Sequence, residues 1–224
     1  MHVFRLRRVT SYVTRLSFLV CLLALPAIAA PDASLGRMLK GIEDHYNHAK
    51  TLQVLFTEEY TEQGQTRRPE SGLLSLRKPG RMRWDYTKPA GKLFISDGKT
   101  VYLYTPDAHR VERAPLKASE DMRAPLAFLL GKLDFSREFK NFDAKTEGTD
   151  TVVTAWAASD RLPYDKVEML VGAAFEIHRL VVTGTDKSIL TFTFAGEKVN
   201  PKVDDAMFRF RMPPGATLAN AEEQ

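Results

Sequence analysis

Residues 81–86 read Arg-Met-Arg-Trp-Asp-Tyr, a strict alternation of charged and large apolar side chains. Side chains at a period of two give a strand with one wet and one dry face, a pattern that does not suit a helix. The alternation sits inside a longer stretch, 73–104, that continues through Leu93, Phe94, Ile95 and Ser96 to Asp97-Gly98, then Thr100, Val101, Tyr102, Leu103 and Tyr104. Asp-Gly between two such runs predicts a hairpin, with a type I′ turn that needs positive φ at both central residues. The expectation is a large antiparallel sheet with one apolar concave face. What covers that face decides what the protein does.

The first 29 residues read as a leader rather than as part of the fold. Arg5, Arg7, Arg8 and Arg15 precede an apolar run at 16–25, and Ala27, Ile28 and Ala29 supply small residues for cleavage before Ala30. This is the pattern of a secretory signal peptide. The run is shorter than the roughly 20 residues a membrane span needs, and Pro26 interrupts it. The whole chain carries 32 basic and 28 acidic residues, a formal charge of +4. The leader holds four arginines and no acid, so residues 30–224 balance at 28 of each. The basic character belongs to the leader, and nucleic acid loses its electrostatic footing as a partner. The one cysteine, Cys21, is also in the leader, and Phe18, Leu19 and Val20 before it are too large for a lipidation site. An exported domain without thiols must be held by its core, and residues 30–224 are enough for one sizeable domain.

Along that domain, Leu35, Met38, Leu39, Ile42 and Tyr46 follow a 3.6-residue period and predict a helix over 32–49. Strands are expected from residue 52 onward, then at 72–77, 81–86, 92–96, 100–105 and around Val111, separated by Pro-Gly and Asp-Gly turns. A second series is expected at 139–145, 151–158, 164–171, 175–184 and 188–198. Asp204 and Asp205 predict a capped helical turn, Phe208 to Met212 the last strand, and the tail from Ala219 a loose end. Between the two series, Leu126, Leu129, Leu130 and Leu133 form an apolar stripe after Pro125, predicting a short helix over 122–133. The whole reads as one curved antiparallel sheet that curls without closing, with that helix available to cover its inner face.

Catalytic patterns are absent: no G-x-S-x-G, no H-E-x-x-H, no P-loop and no G-x-G-x-x-G. His45 and His48 share a helix face but have no third metal ligand in reach, since Glu43 and Asp44 point elsewhere. Glu58 and Glu59 are neighbours in a strand and face opposite sides, so they cannot act as a catalytic pair. Neither an enzyme nor a metal or cofactor site is expected. A basic cluster, Arg67, Arg68, Arg77, Lys78, Arg81 and Arg83, reads either as a solvated outer face or as a docking patch for an acidic partner or lipid headgroup. Met82, Trp84 and Tyr86 share a face, with Leu93, Ile95, Tyr102 and Tyr104 in the next hairpin, and point to a cavity for an apolar ligand.

The run Leu76-Arg77-Lys78-Pro79-Gly80-Arg81-Met82-Arg83-Trp84, then Pro89, then Ile95 through Asp97-Gly98 to Tyr104, resembles the core signature of the LolA family of periplasmic lipoprotein carriers. Phe56-Thr57-Glu58, Gly72, Phe208-Arg209-Phe210 and Pro213-Pro214-Gly215 match in order, so the resemblance spans nearly all of the chain after the leader. It implies an incomplete antiparallel β-barrel with helices forming a lid over a hydrophobic cavity. It also implies a monomeric periplasmic chaperone that binds the acyl chains of lipoproteins, takes them from a LolCDE-type ABC transporter and passes them to a LolB-type receptor. A carrier or sensor of another lipid on the same fold is the alternative. On this resemblance the acyl-chain cavity is expected to involve Met82, Trp84, Tyr86, Leu93, Ile95, Tyr102, Tyr104, Leu126, Leu129 and Leu130. The best-known members carry Arg before the signature proline, where it latches the lid. Here Lys78 takes that place beside Arg77, so the lid contact falls to one of these two. Lysine keeps the charge and loses the planar fork. Met82 replaces a residue usually aromatic in the family and suits variable acyl chains.

Overall fold

The computed structural model describes residues 32–116 and 133–220. The expected helix at 122–133, with Leu126, Leu129 and Leu130, lies outside the described residues, as does the leader. The chain begins with helix α1 (Asp32–His48) and then runs through one large sheet. Its first series comprises β1 (Thr51–Glu62), the short β2 (Gln65–Thr66), β3 (Glu70–Arg77), β4 (Arg81–Lys88), β5 (Leu93–Asp97), β6 (Thr100–Thr105) and β7 (Arg110–Pro115). A one-turn helix, α2 (Phe135–Glu138), precedes β8 (Phe139–Glu147), β9 (Asp150–Ala157), β10 (Tyr164–Val171), β11 (Ile177–Gly184) and β12 (Ile189–Val199). A 3-10 turn at Asp205–Phe208 and the short β13 (Thr217–Asn220) end the described chain.

The strand order is β13-β7-β6-β5-β4-β3-β1-β12-β11-β10-β9-β8, with β2 paired only to β1. Each series is therefore a meander. Strand β1 joins them by pairing with β3 on one side and with β12, far along the chain, on the other. Strands β8 and β13 lie at opposite edges and do not pair with each other, so the sheet is unclosed. The fold class expected from the sequence is the one observed.

The inner face collects the core. Val54 and Phe56 of β1, Leu74 and Leu76 of β3, and Met82, Trp84 and Tyr86 of β4 are buried together with Phe94, Val101, Val167, Met169, Leu180 and Phe192. Helix α1 lies against this cluster through Ile42 and Tyr46. The helix comes close to residue Phe175, and a Cβ on Gly41 would stand 2.3 Å from that ring. Any larger residue at 41 forces either that ring or the helix to shift.

Two local expectations are corrected. The register pairs Ser96 with Val101, so the hairpin loop is Gly98-Lys99 rather than Asp97-Gly98. Gly98 alone of the two has positive φ, +96°, which is the type II′ pattern with glycine at the first central position. Asp97 instead ends β5 and accepts hydrogen bonds from the backbone N–H of Lys99 and Thr100, both at 2.8 Å. The last strand is also not at 208–212. Asp204 caps the 3-10 turn by accepting from the Ala206 N–H at 2.9 Å, as expected. The chain then crosses the outer face of the sheet, and the final strand, β13, runs parallel to β7 and takes in Ala219 and Asn220.

Candidate functional site: the concave apolar face and its contacts with α1

Trp84 stands at the centre of the concave face and has 0 % of its surface exposed. Its ring meets Phe56 edge-on, with centroids 4.6 Å apart, and lies 5.6 Å from Phe192. Phe56 also packs edge-on against Tyr86 at 5.1 Å, and Phe192 stacks with Phe194 at 5.9 Å. Met82 is buried beside them. Strand β4 thus contributes Met82, Trp84 and Tyr86 to one wall, as the alternation predicts.

The hairpin divides. Trp84 pairs with Phe94 and Phe94 with Leu103, while Arg83 pairs with Ile95 and Asp85 with Leu93. Directly opposed residues share a face. Phe94, Val101 and Leu103 therefore extend the concave wall, and Leu93, Ile95, Tyr102 and Tyr104 lie on the outer face with Arg83. This corrects the expected cavity set. Ile95 and Val111 are nonetheless buried, and the 3-10 turn at Asp205–Phe208 packs against β4 and β5. Phe208 is buried and Phe210 stacks on Tyr102 at 4.5 Å. Strand β5 is apolar on successive residues because both of its faces are covered.

The basic cluster is mostly committed to internal partners. Arg77 and Arg81 both bind the Asp205 carboxylate. Arg77 donates to the Val203 carbonyl at 3.1 Å, and Arg83 to the Met207 carbonyl at 2.9 Å. These three arginines fasten the C-terminal crossing to the outer face. Arg77 therefore faces away from α1. Lys78 faces toward it and donates from Nζ to the carbonyl of Tyr46 at 2.8 Å, in the last turn of the helix. Burial of the ammonium lowers the pKa of Lys78.

Sequence reasoning missed a second attachment of α1. Glu197 of β12 places one carboxylate oxygen 2.7 Å from His45 Nε2 and accepts from the Tyr46 hydroxyl with the other at 3.0 Å. The Tyr46 oxygen in turn accepts from the Ile177 N–H at 2.9 Å. Burial, and then the Glu197 charge, raise the Tyr46 pKa well above its usual value. Asn47 adds a reciprocal pair with the Leu133 backbone, at 2.8 and 2.7 Å, and Glu43 accepts from the Phe135 N–H at 2.8 Å. His45 thus serves α1 docking, while His48 Nδ1 lies 2.8 Å from the Asp44 carbonyl. The described residues hold no group of three side chains suited to a metal ion.

His178 of β11 lies between Asp150, at 2.7 Å, and Glu176, at 3.2 Å. The Asp150 hydrogen bond raises the His178 pKa, and the same bond lowers that of Asp150. A raised histidine pKa stabilises the fold below the unfolded value of about 6.5, and this is lost as pH rises through the folded value. His178→Ala is expected to lower the melting temperature more at pH 5.5 than at pH 8.5. Equal losses at both would show that the pair contributes no charge-dependent stability.

A family model described as the outer membrane lipoprotein carrier protein LolA matches residues 47–211. The chain belongs to the LolA family. An outer-membrane lipoprotein carrier protein of Chromobacterium violaceum is 29 % identical over 203 residues, covering 89 % of this chain and 92 % of that one. The protein of the same description from Azotobacter vinelandii is 28 % identical over 208 residues, covering 90 % and 97 %. Among solved structures, a conserved protein of Thermus thermophilus superposes with a TM-score of 0.50 at 13 % identity, covering 84 % of this chain and 99 % of that one, a likeness of fold alone. The Lys78-Pro79-Gly80 turn lies within the matched residues, at the point where the sheet meets α1.

Proposed function

We propose that this protein is a periplasmic lipoprotein carrier. It takes the acyl chains of lipoproteins onto its concave face and delivers them to an outer-membrane receptor. The observation that carries the reading is the continuous apolar wall of an unclosed sheet, built from Phe56, Met82, Trp84, Tyr86, Phe94 and Phe192 and pinned to α1 through Lys78, in a chain of the LolA family. Each methylene removed from water is worth about 0.8 kcal/mol, so an anchor with several acyl chains cannot cross an aqueous space unaided. A wall of rings and a flexible methionine accepts chains of varied length without specific polar contacts.

Residues 1–29 act as a cleaved signal peptide and residues 30–224 as the carrier domain. Leu126, Leu129 and Leu130 supply further acyl contacts. A LolCDE-type transporter loads the cargo and a LolB-type protein receives it. Lys78 is the lid contact, because it bonds the backbone of α1 while Arg77 is held by Asp205 on the other face. A latch of this kind makes opening cost part of the binding energy, which keeps net affinity low enough for release.

Spheroplasts producing a triacylated lipoprotein provide the test. Added protein is expected to release the lipoprotein in soluble form and pass it to an acceptor. Failure to release it sinks the reading, and co-purified free phospholipid without lipoprotein assigns the fold to another lipid. Lys78→Leu is expected to favour the open, loaded state and slow transfer to the acceptor severalfold. An unchanged rate moves the latch to the Glu197 contacts.

A further inference from the structure

A cleft of about 720 Å³ opens at the end of the sheet where β1, β3 and β4 meet, away from the Lys78 contact. Thr57, Ser71 and Thr87 line it with hydroxyl groups, and Pro69 and Pro89 give it an apolar wall. The Thr87 hydroxyl donates to the Ser71 carbonyl at 3.1 Å, which fixes that part of the floor. Arg68, Glu70, Lys88 and Ala90 complete the lining.

The charges around the cleft are not equivalent. Arg67 is paired with Glu62 at 3.1 Å and lies over the Tyr60 ring. Lys92 binds Glu70, the one carboxylate in the lining, and sits 4.6 Å from the centroid of Tyr86. Arg68 and Lys88 are exposed, and neither side chain makes an ion pair or hydrogen bond among the described residues. Two uncommitted cations therefore face a pocket of hydroxyl groups beside an apolar wall. An amphiphilic anion satisfies all three features: its charge meets Arg68 and Lys88, its ester oxygens meet the hydroxyls, and its hydrocarbon root meets the prolines.

The position selects among such anions. Lys92 and Glu70 form the ridge between this cleft and Tyr86 on the concave face. Glu70 pairs across the strands with Glu58, whose carboxylate lies 3.5 Å from the Tyr86 hydroxyl. The cleft thus adjoins the polar rim of the apolar wall, and an anion bound there brings that rim to whatever surface bears it. We propose that the Arg68–Lys88 cleft binds the phosphate headgroup of an anionic phospholipid and docks this rim on a membrane surface. The docking needs no cargo, and its test is separate from any test of lipoprotein transfer.

Protein recovered from the periplasmic fraction is pelleted with vesicles of phosphatidylcholine alone or mixed with phosphatidylglycerol. The native protein is expected to partition onto the anionic vesicles only, and less so as salt rises. The double variant Arg68→Gln/Lys88→Gln is expected to lose about tenfold or more in partitioning, given the contribution of each cation near an anionic surface. Lys145→Gln/Lys202→Gln makes the same change in net charge at exposed sites outside the cleft and is expected to stay within about twofold of native. Equal losses in the two variants overturn the proposal in favour of diffuse attraction. Binding of inorganic phosphate at the cleft without vesicle partitioning also overturns it, leaving a site for a free anion. Circular dichroism melting of each variant separates loss of binding from loss of fold.

Discussion

Trp84→Ala is expected to lower the free energy of unfolding by about 3–5 kcal/mol, read from the midpoint and slope of a urea transition. The ring is fully buried, with Phe56 on one side and Phe192 on another, and its strand neighbours Leu74 and Phe94 are themselves core residues. Truncation removes the largest apolar surface on β4 and leaves a hole that neighbouring strands cannot close without breaking register. Trp84→Phe keeps most of the volume and is expected to cost less than half as much. The native Trp84 ring also reports whether this wall meets cargo. The chain has two tryptophans, and the other, Trp156, is 38 % exposed on the outer face. In a Trp156→Phe background the emission of Trp84 is expected to change when an acylated peptide is added. Emission that stays constant while the peptide binds would show that Trp84 packs the core and does not line the binding surface.

The strand β4 was legible because its two faces differ. Arg81, Arg83 and Asp85 are partly exposed and Met82, Trp84 and Tyr86 buried, and alternation reports that difference directly. The hairpin β5–β6 was not legible in the same way. Leu93, Phe94 and Ile95 are apolar in succession, and such a run carries no information about which side faces the concavity. It does report that both sides are covered, and the cover for the outer side is in Phe208 and Phe210, more than 100 positions later. Reading the unbroken run as two-sided burial would have called for such a segment and kept Ile95 and Tyr102 out of the cavity wall. The arginines show the same limit. Their spacing put Arg77, Arg81 and Arg83 on one face, but only the fold reveals Asp205 and the Val203 and Met207 carbonyls opposite them. Glu197 was invisible because it stands about 150 residues from His45 and Tyr46 in a strand that otherwise reads as ordinary.

Tyr46→Phe is expected to destabilise the protein by about 2–3 kcal/mol, although it removes a single oxygen. That oxygen donates to Glu197 and accepts from the Ile177 N–H, and the Tyr46 ring is buried. Its loss leaves a buried N–H with no acceptor and a carboxylate with one partner fewer, and both penalties fall on the docked state of α1. Lys78→Leu is expected to cost under about 1 kcal/mol. Its hydrogen bond to the Tyr46 carbonyl is opposed by the burial that lowers its pKa, so removing the ammonium also removes a desolvation penalty. The two contacts reach the same residue from the strands on either side of β1, one through a neutral hydroxyl and one through a buried charge. Stability therefore rests mainly on the Tyr46–Glu197–Ile177 link, and Lys78 adds a weaker contact to α1 that opening can break at low cost. Urea transitions of the two single variants and the double variant, with amide exchange over 32–48, measure this division. A larger loss for Lys78→Leu than for Tyr46→Phe would reverse it and make the lysine the structural anchor. A double variant that loses no more than Tyr46→Phe alone would show that the lysine contact forms only after the tyrosine has docked the helix.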